Sequence, residues 1–207
     1  MTTHGTITVM GVPARGVEVY AVRGGKVVAV AHSDPEGRFA VDVDAEQVLA
    51  RFVEPAVGVR AATPGADGAV QIAVERADIV RLTGTLATPA GVTIDWIDLW
   101  LTPRLPEVAP RIVVAVGTEN AQRPCYWARR LTGAGFELRL LRGTWAMWLV
   151  REEDGGLTAK PPLTLTLDTL LLPNGDEAEA HFGGRQFALD RDLQVTARVR
   201  VRTEDEL

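Results

Sequence analysis

The chain has one cysteine, Cys125, in 207 residues, so no internal disulfide can form. Histidine is nearly as scarce. His4, His32 and His181 lie far apart and lack metal-ligand spacing, so neither metal nor cofactor is expected. Only Lys26 and Lys160 among the 22 basic residues are lysine, a preference for Arg that reads as codon bias in a GC-rich bacterial genome. Net charge is −5, with seven basic against ten acidic residues before residue 80 and 15 against 17 after it. Neither half has a basic footprint, so nucleic acid is not expected as a partner. Apolar runs are too short and interrupted to span a bilayer, and no membrane role is expected. Met1 to Gly5 offers no charged region followed by an apolar one, so a cytoplasmic location is expected. Helical periodicity is rare: only the residues around Glu46 and those from Glu177 to His181 suggest short helices.

A pattern that occurs twice is the main positive signal. Gly5-Thr6-Ile7-Thr8-Val9 is followed by Pro13-Ala14-Arg15-Gly16-Val17 and then Ser33-Asp34-Pro35-Glu36-Gly37-Arg38-Phe39. After residue 80 come Gly84-Thr85-Leu86-Ala87, Pro89-Ala90-Gly91-Val92 and Thr132-Gly133-Ala134-Gly135-Phe136. Each copy offers a Gly-led strand, a Pro/Gly turn into a second strand, and a Gly turn into a Phe-led strand.

Period-two alternation then predicts strands over 6–9, 17–22, 27–31, 39–43, 57–62 and 70–74. The 45–52 segment fits a strand or a short helix. Arg23-Gly24-Gly25-Lys26 reads as a hairpin turn. In the second half strands are predicted over 94–101, 112–116, 126–131, 136–141, 144–150, 163–172 and 193–202. The 136–141 and 144–150 strands are expected to pair around Arg142-Gly143, and Pro103, Pro106 and Pro110 to make an extended loop. Pro173-Asn174-Gly175-Asp176 reads as a turn. The fold class is therefore all-β: two antiparallel β-sandwich domains in tandem, 1–79 and 80–207. No Pro/Ser/Gly linker separates them near Ala77 to Arg81, so the halves are expected to pack together.

Pro13 with Gly16-Val17-Glu18-Val19, and Ser33 to Phe39, resemble carboxypeptidase regulatory-like domains, the prealbumin-like (transthyretin-like) β-sandwiches. The likeness is clear over about residues 5 to 75 and weaker in the second half, where the turn before Phe136 keeps Gly but has no Asp. The resemblance implies a fold rather than a chemistry, because the module is attached to many unrelated proteins. One enzyme on this fold, hydroxyisourate hydrolase, is similar over Pro13 to Val17. It needs an N-terminal His, an internal Arg and His, and a terminal Tyr-Arg-Gly-Ser. This chain has His4 but ends Arg202-Thr203-Glu204-Asp205-Glu206-Leu207, and His4 reads as a disordered terminal residue.

Isolated reactive residues carry little. His32 precedes a turn, and Cys125 reads as a buried inert thiol unless His181 lies beside it. Asp42, Asp44 and Glu46 alternate, as a solvated edge does. The tryptophans say more. Trp96, Trp100, Trp127, Trp145 and Trp148 all fall in the second half. Strand parity puts Ile97, Leu99 and Leu101 on one face, and Trp96, Asp98 and Trp100 on the other. Both faces of 145–150 are apolar. These five Trp are the candidate binding residues, and the competing reading is that their faces pack on the first domain, on the proline loop or on a second copy; no catalytic residue is assigned. The expectation is a non-enzymatic accessory or structural subunit that binds a partner protein or itself, within a larger complex. The alternatives are a small-molecule hydrolase using His32 or His181, and a carbohydrate-binding module using stacked Trp.

Overall fold

In the computed structural model, residues 2–104, 127–152, 164–181 and 184–202 are described. The protein is all-β, with one 3-10 turn among the described residues, at Arg76–Asp78. It divides into two compact units. The first comprises Met1–Ile79 and Arg139–Arg142; the second comprises Val80–Arg104, the described residues up to Leu138, and the chain from Gly143.

The first unit is a sandwich of two four-stranded sheets. One contains β1 (Thr3–Val9), β2 (Val12–Pro13), β5 (Arg38–Val41) and β8 (Ala69–Val74). The other has the order β4 (Lys26–His32), β3 (Glu18–Arg23), β6 (Gln47–Phe52), β7 (Gly58–Ala62). Strand alternation buries Ile7, Val19, Phe39, Val48, Phe52 and Ile72 between the sheets. Leu141, although late in the sequence, belongs to this core, and Leu140 bridges to Val57. Gly58 makes room for the Leu141 side chain, which a Cβ at that position would overlap.

Both motifs of the first half are structural, and they meet at one buried hydroxyl. Ser33 Oγ donates to the Ala14 carbonyl at 2.6 Å and accepts from the Val17 amide at 2.9 Å. Asp34 caps its own turn by accepting from the amides of Glu36 and Arg38. Gly37 closes that turn at φ 73°, where a side chain would be strained and would also press on the Ile7 carbonyl.

The second unit repeats this plan at the level of individual hydrogen bonds. Its first strand, β9 (Ile79–Ala87), runs parallel to the last, β17 (Leu193–Val201), as β1 runs parallel to β8. Gly84 faces Val195 as Gly5 faces Val70. The Phe-led strand β12 (Gly135–Leu141) lies on the other side of β9. The Leu86 amide donates to Ala134 at 2.7 Å, just as Ile7 donates to Gly37 at 2.8 Å. Each Gly lies under its Phe ring, Gly5 under Phe39 and Gly84 under Phe136.

The rest of the second unit comprises β10 (Ile97–Arg104), β11 (Trp127–Leu131), β13 (Gly143–Glu152), β14 (Thr164–Leu171), β15 (Glu179–His181) and β16 (Gly184–Leu189). The order is β11-β10-β13-β14-β17-β9-β12, with β16 also on β13 and β15 on β16. β13 therefore forks: Gly143 to Met147 pair with β16, and Val150 to Glu152 pair with β14. This fork joins what are two separate sheets in the first unit into one continuous sheet.

Several expectations are corrected. Of the two readings left open for the 45–52 segment the strand holds, as β6 over Gln47–Phe52, with Val48 and Ala50 in the core. Glu177 bridges to Leu171, and 179–181 is β15, so neither suggested helix forms. β12 and β13 do not make a hairpin: β9 takes β12, while β10, β14 and β16 take the edges of β13. His4 is not a disordered terminal residue; it pairs with Ala40 and Ala69 inside β1. β10 starts at Ile97 and runs through Pro103. There only the β13 edge is paired among the described residues, so the missing Pro N–H costs no ladder bond on the other side. The Asn174-Gly175 turn forms as expected, with Leu172 donating to Asp176. The predicted 112–116 strand, Pro106, Pro110 and Cys125 lie outside the described residues.

Candidate functional site

Strand parity in β10 holds from Ile97 onward. Ile97, Leu99 and Leu101 are buried, and the opposite face carries Asp98, Trp100, Thr102 and Arg104. The antiparallel register sets Trp100 directly opposite Trp148 of β13. Trp100 is 37% exposed and Trp148 half-buried, so two indoles stand side by side on the outward face. Gly184 of β16 makes the space for Trp148: a Cβ there would lie 2.6 Å from its Nε1.

The five tryptophans separate into three environments. Trp100 and Trp148 are the outward pair. Trp145 is a core residue, 1% exposed, with Trp127 tilted against it at 5.9 Å between ring centres. Trp96 lies just before β10 beneath Arg130, whose guanidinium carbon is 4.0 Å from the ring centre. Arg130 also makes a two-point ion pair with Asp98 directly across the strands. Asp98 holds the Arg130 pKa above its ordinary value.

Polar residues that sequence reasoning did not connect lie on the outward Trp face. His181 of β15 packs against Trp148 with the rings tilted at 58° and their centres 5.9 Å apart. Its Nε2 is 3.4 Å from Arg104 Nη1. Arginine only donates, so Nε2 accepts and the ring is neutral in this geometry. Burial, reinforced by the Arg104 charge, pushes the His181 pKa below its usual value, and Glu179 partly opposes this. Between Trp100 and Arg104 sits Thr102, 1% exposed, whose hydroxyl has no hydrogen-bond partner among the described residues. The two partners His181 and Arg104 are 77 residues apart in sequence, so only the sheet brings them together.

The remaining candidates stand alone. His32 is exposed on the edge strand β4, opposite Glu18. Asp42 accepts from Thr2 Oγ1 and Glu46 from the Gly24 amide, so these carboxylates serve turns. Among the described residues, no group of three His, Cys, Asp or Glu is placed to hold a metal. No helix among them is long and apolar enough to cross a membrane.

No family model matches the chain, and no curated protein matches it. Solved structures similar to it include a streptococcal ancillary pilin, with 13% identity and a TM-score of 0.27 over 98% of this chain and 63% of that one. The major pilin of Streptococcus pyogenes has 9% identity and a TM-score of 0.26, covering 96% of this chain and 97% of that one. A C-terminal fragment of the pilus adhesin SpaC from Lactobacillus rhamnosus GG has 10% identity and a TM-score of 0.30, with 98% of both chains covered. The chain thus spans just under two thirds of the ancillary pilin. At these TM-scores the matches carry no functional weight, and the strand pairing defines the fold.

Proposed function

We propose that this protein is a non-enzymatic binding subunit that engages a partner protein through the outward face of β10 and β13. One observation carries the reading: Trp100 and Trp148 stand opposite each other across that strand pair with Trp100 substantially exposed. Trp is enriched among residues that dominate interface energies, because its large ring loses much water contact on burial. A strand-borne pair is also held rigidly, so little side-chain order is lost on binding. The clip at Ser33 and the capped Asp34 turn support a carboxypeptidase regulatory-like assignment for the first unit, as a carrier module.

The test is retention of purified partner candidates, or of a second copy, on immobilised wild type and Trp100→Ala chains, with Val30→Ala in the first unit as a control. Loss on Trp100→Ala alone is the expected result. Equal retention by all three chains removes the reading. Retention of glycans that is lost with Trp100→Ala would favour the carbohydrate-binding alternative instead.

A further inference from the structure

We infer that Arg104, Thr102 and His181, beside the Trp100–Trp148 pair, recognise a carboxylate carried next to an apolar side chain on a partner polypeptide. This rests on the Trp face being a binding face, and adds the chemistry of what it binds.

Charge is the first reason. Arg104 is half-buried, and its one polar contact among the described residues is the neutral His181 ring. No carboxylate pairs with it there. A half-buried guanidinium with four of its five N–H donors unspent among the described residues is suited to receive an anion. Neighbouring arginines are already engaged: Arg130 holds Asp98, and Arg185 donates to the carbonyls of Gly184 and Asp168.

The second reason is the buried Thr102 hydroxyl, which has no hydrogen-bond partner among the described residues and lies on the same strand face between Trp100 and Arg104. A buried hydroxyl left unmade costs free energy, and a carboxylate oxygen would accept from it. Third, His181 can change role. As a neutral ring it accepts from Arg104 at Nε2 and carries a single N–H, at Nδ1. With an anion beside it, it would gain a proton and donate from both nitrogens. Among the described residues, the charged groups that act on it include Arg104 from β10 and Glu179 on its own strand. β13 contributes Trp148, and β16 contributes Gly184 and Gln186, with Arg185 turned to backbone carbonyls. The cationic corner beside two indoles matches an acidic residue flanked by an apolar one.

The experiment uses the full chain and two probes, Ac-Leu-Glu-Leu-NH2 and its Gln counterpart, at millimolar concentration. The His181 ring and the Trp100 and Trp148 indole N–H signals are followed by NMR across pH. The Glu peptide should perturb all three residues, raise the His181 pKa, and bind roughly tenfold more tightly than the Gln peptide. Arg104→Gln should abolish that preference, and Arg104→Lys should keep part of it. Inorganic phosphate alone should not reproduce the response. If both peptides shift Trp100 and Trp148 equally and His181 not at all, the carboxylate inference fails while the Trp face stands. If phosphate gives the full effect, the site is a generic anion contact and the inference also fails. If neither peptide perturbs any of the three residues, both the inference and the reading beneath it fall.

Discussion

Gly84 lies directly beneath the Phe136 ring, and a Cβ at Gly84 would overlap that ring. Gly5 stands in the same relation to Phe39, its antiparallel cross-strand partner. The two sites differ in how far the ring can yield. Phe39 is 5% exposed and Gly5 also abuts the Val70 carbonyl, whereas Phe136 is half-buried. Gly5→Ala should therefore cost about 3 kcal/mol or more, and Gly84→Ala nearer 1 kcal/mol. Urea denaturation of the two variants checks the order. Equal costs would mean that the Phe136 ring is held as firmly as Phe39.

Ser33→Ala removes both side-chain bonds between the Ala14 to Val17 turn and the β4–β5 connection, while the backbone bonds from the Gly16 amide to the Ser33 carbonyl and from the Ser33 amide to the Val17 carbonyl remain. It leaves the Val17 amide buried without its acceptor. The expected loss is about 1–3 kcal/mol. Ser33→Thr keeps the hydroxyl and separates hydrogen bonding from packing: recovery of most of the stability assigns the loss to the bonds.

How much of this was legible follows from what alternation encodes. Period two and the Gly/Pro turns located β1, β3 to β5, β7 and β8, whereas the two-residue β2 was read as part of a turn. Alternation does not name a neighbour, so the partners of β12 and β13 were unreadable and the adjacent pair was mistaken for a hairpin. Parity correctly turned Trp100 outward, but it could not separate Trp145, which sits where β13 is buried on both faces. β16 was missed although Phe187 and Leu189 alternate as core residues do. Arg104, Thr102 and His181 had no local signal; their proximity exists only through the β10-β13-β16-β15 pairing.

Two exposed carboxylates should contribute to the acid response of the fold. The Asp34 pKa lies below its ordinary 3.8, chiefly because the Arg38 amide donates to it. The Asp192 pKa is lowered by the Arg81 amide and guanidinium. A carboxyl depressed in the folded state contributes stability above its unfolded pKa and loses it as pH falls through the folded value. Stability should thus decline below about pH 4, as the unfolded chain takes up protons first. Asp34→Asn and Asp192→Asn should each flatten that decline, as read from urea midpoints between pH 6 and pH 2.5.

Trp145 and Trp100 occupy opposite faces of the same strand pair and should respond oppositely. Trp145→Ala empties a fully buried site and should cost about 3–5 kcal/mol. Trp100→Ala removes a partly exposed ring and should stay within about 0.5 kcal/mol. A large loss for Trp100 would mean that its ring supports the sheet rather than serving as a binding surface.

Gly184 offers a way to disturb the outward pair without deleting a ring. An Ala there would press its methyl against both the Trp148 indole and the Met147 carbonyl. The indole is the part that can swing, and it would carry its contact with His181 away with it. Separation from the indole should let water reach the imidazole, so burial would depress its pKa less. Gly184→Ala should therefore raise the His181 pKa toward the ordinary 6.5 and shift the Trp148 fluorescence to the red. NMR titration of the His181 ring reads the first effect directly. An unchanged pKa would mean that the Arg104 charge alone, rather than cover by Trp148, holds the ring neutral.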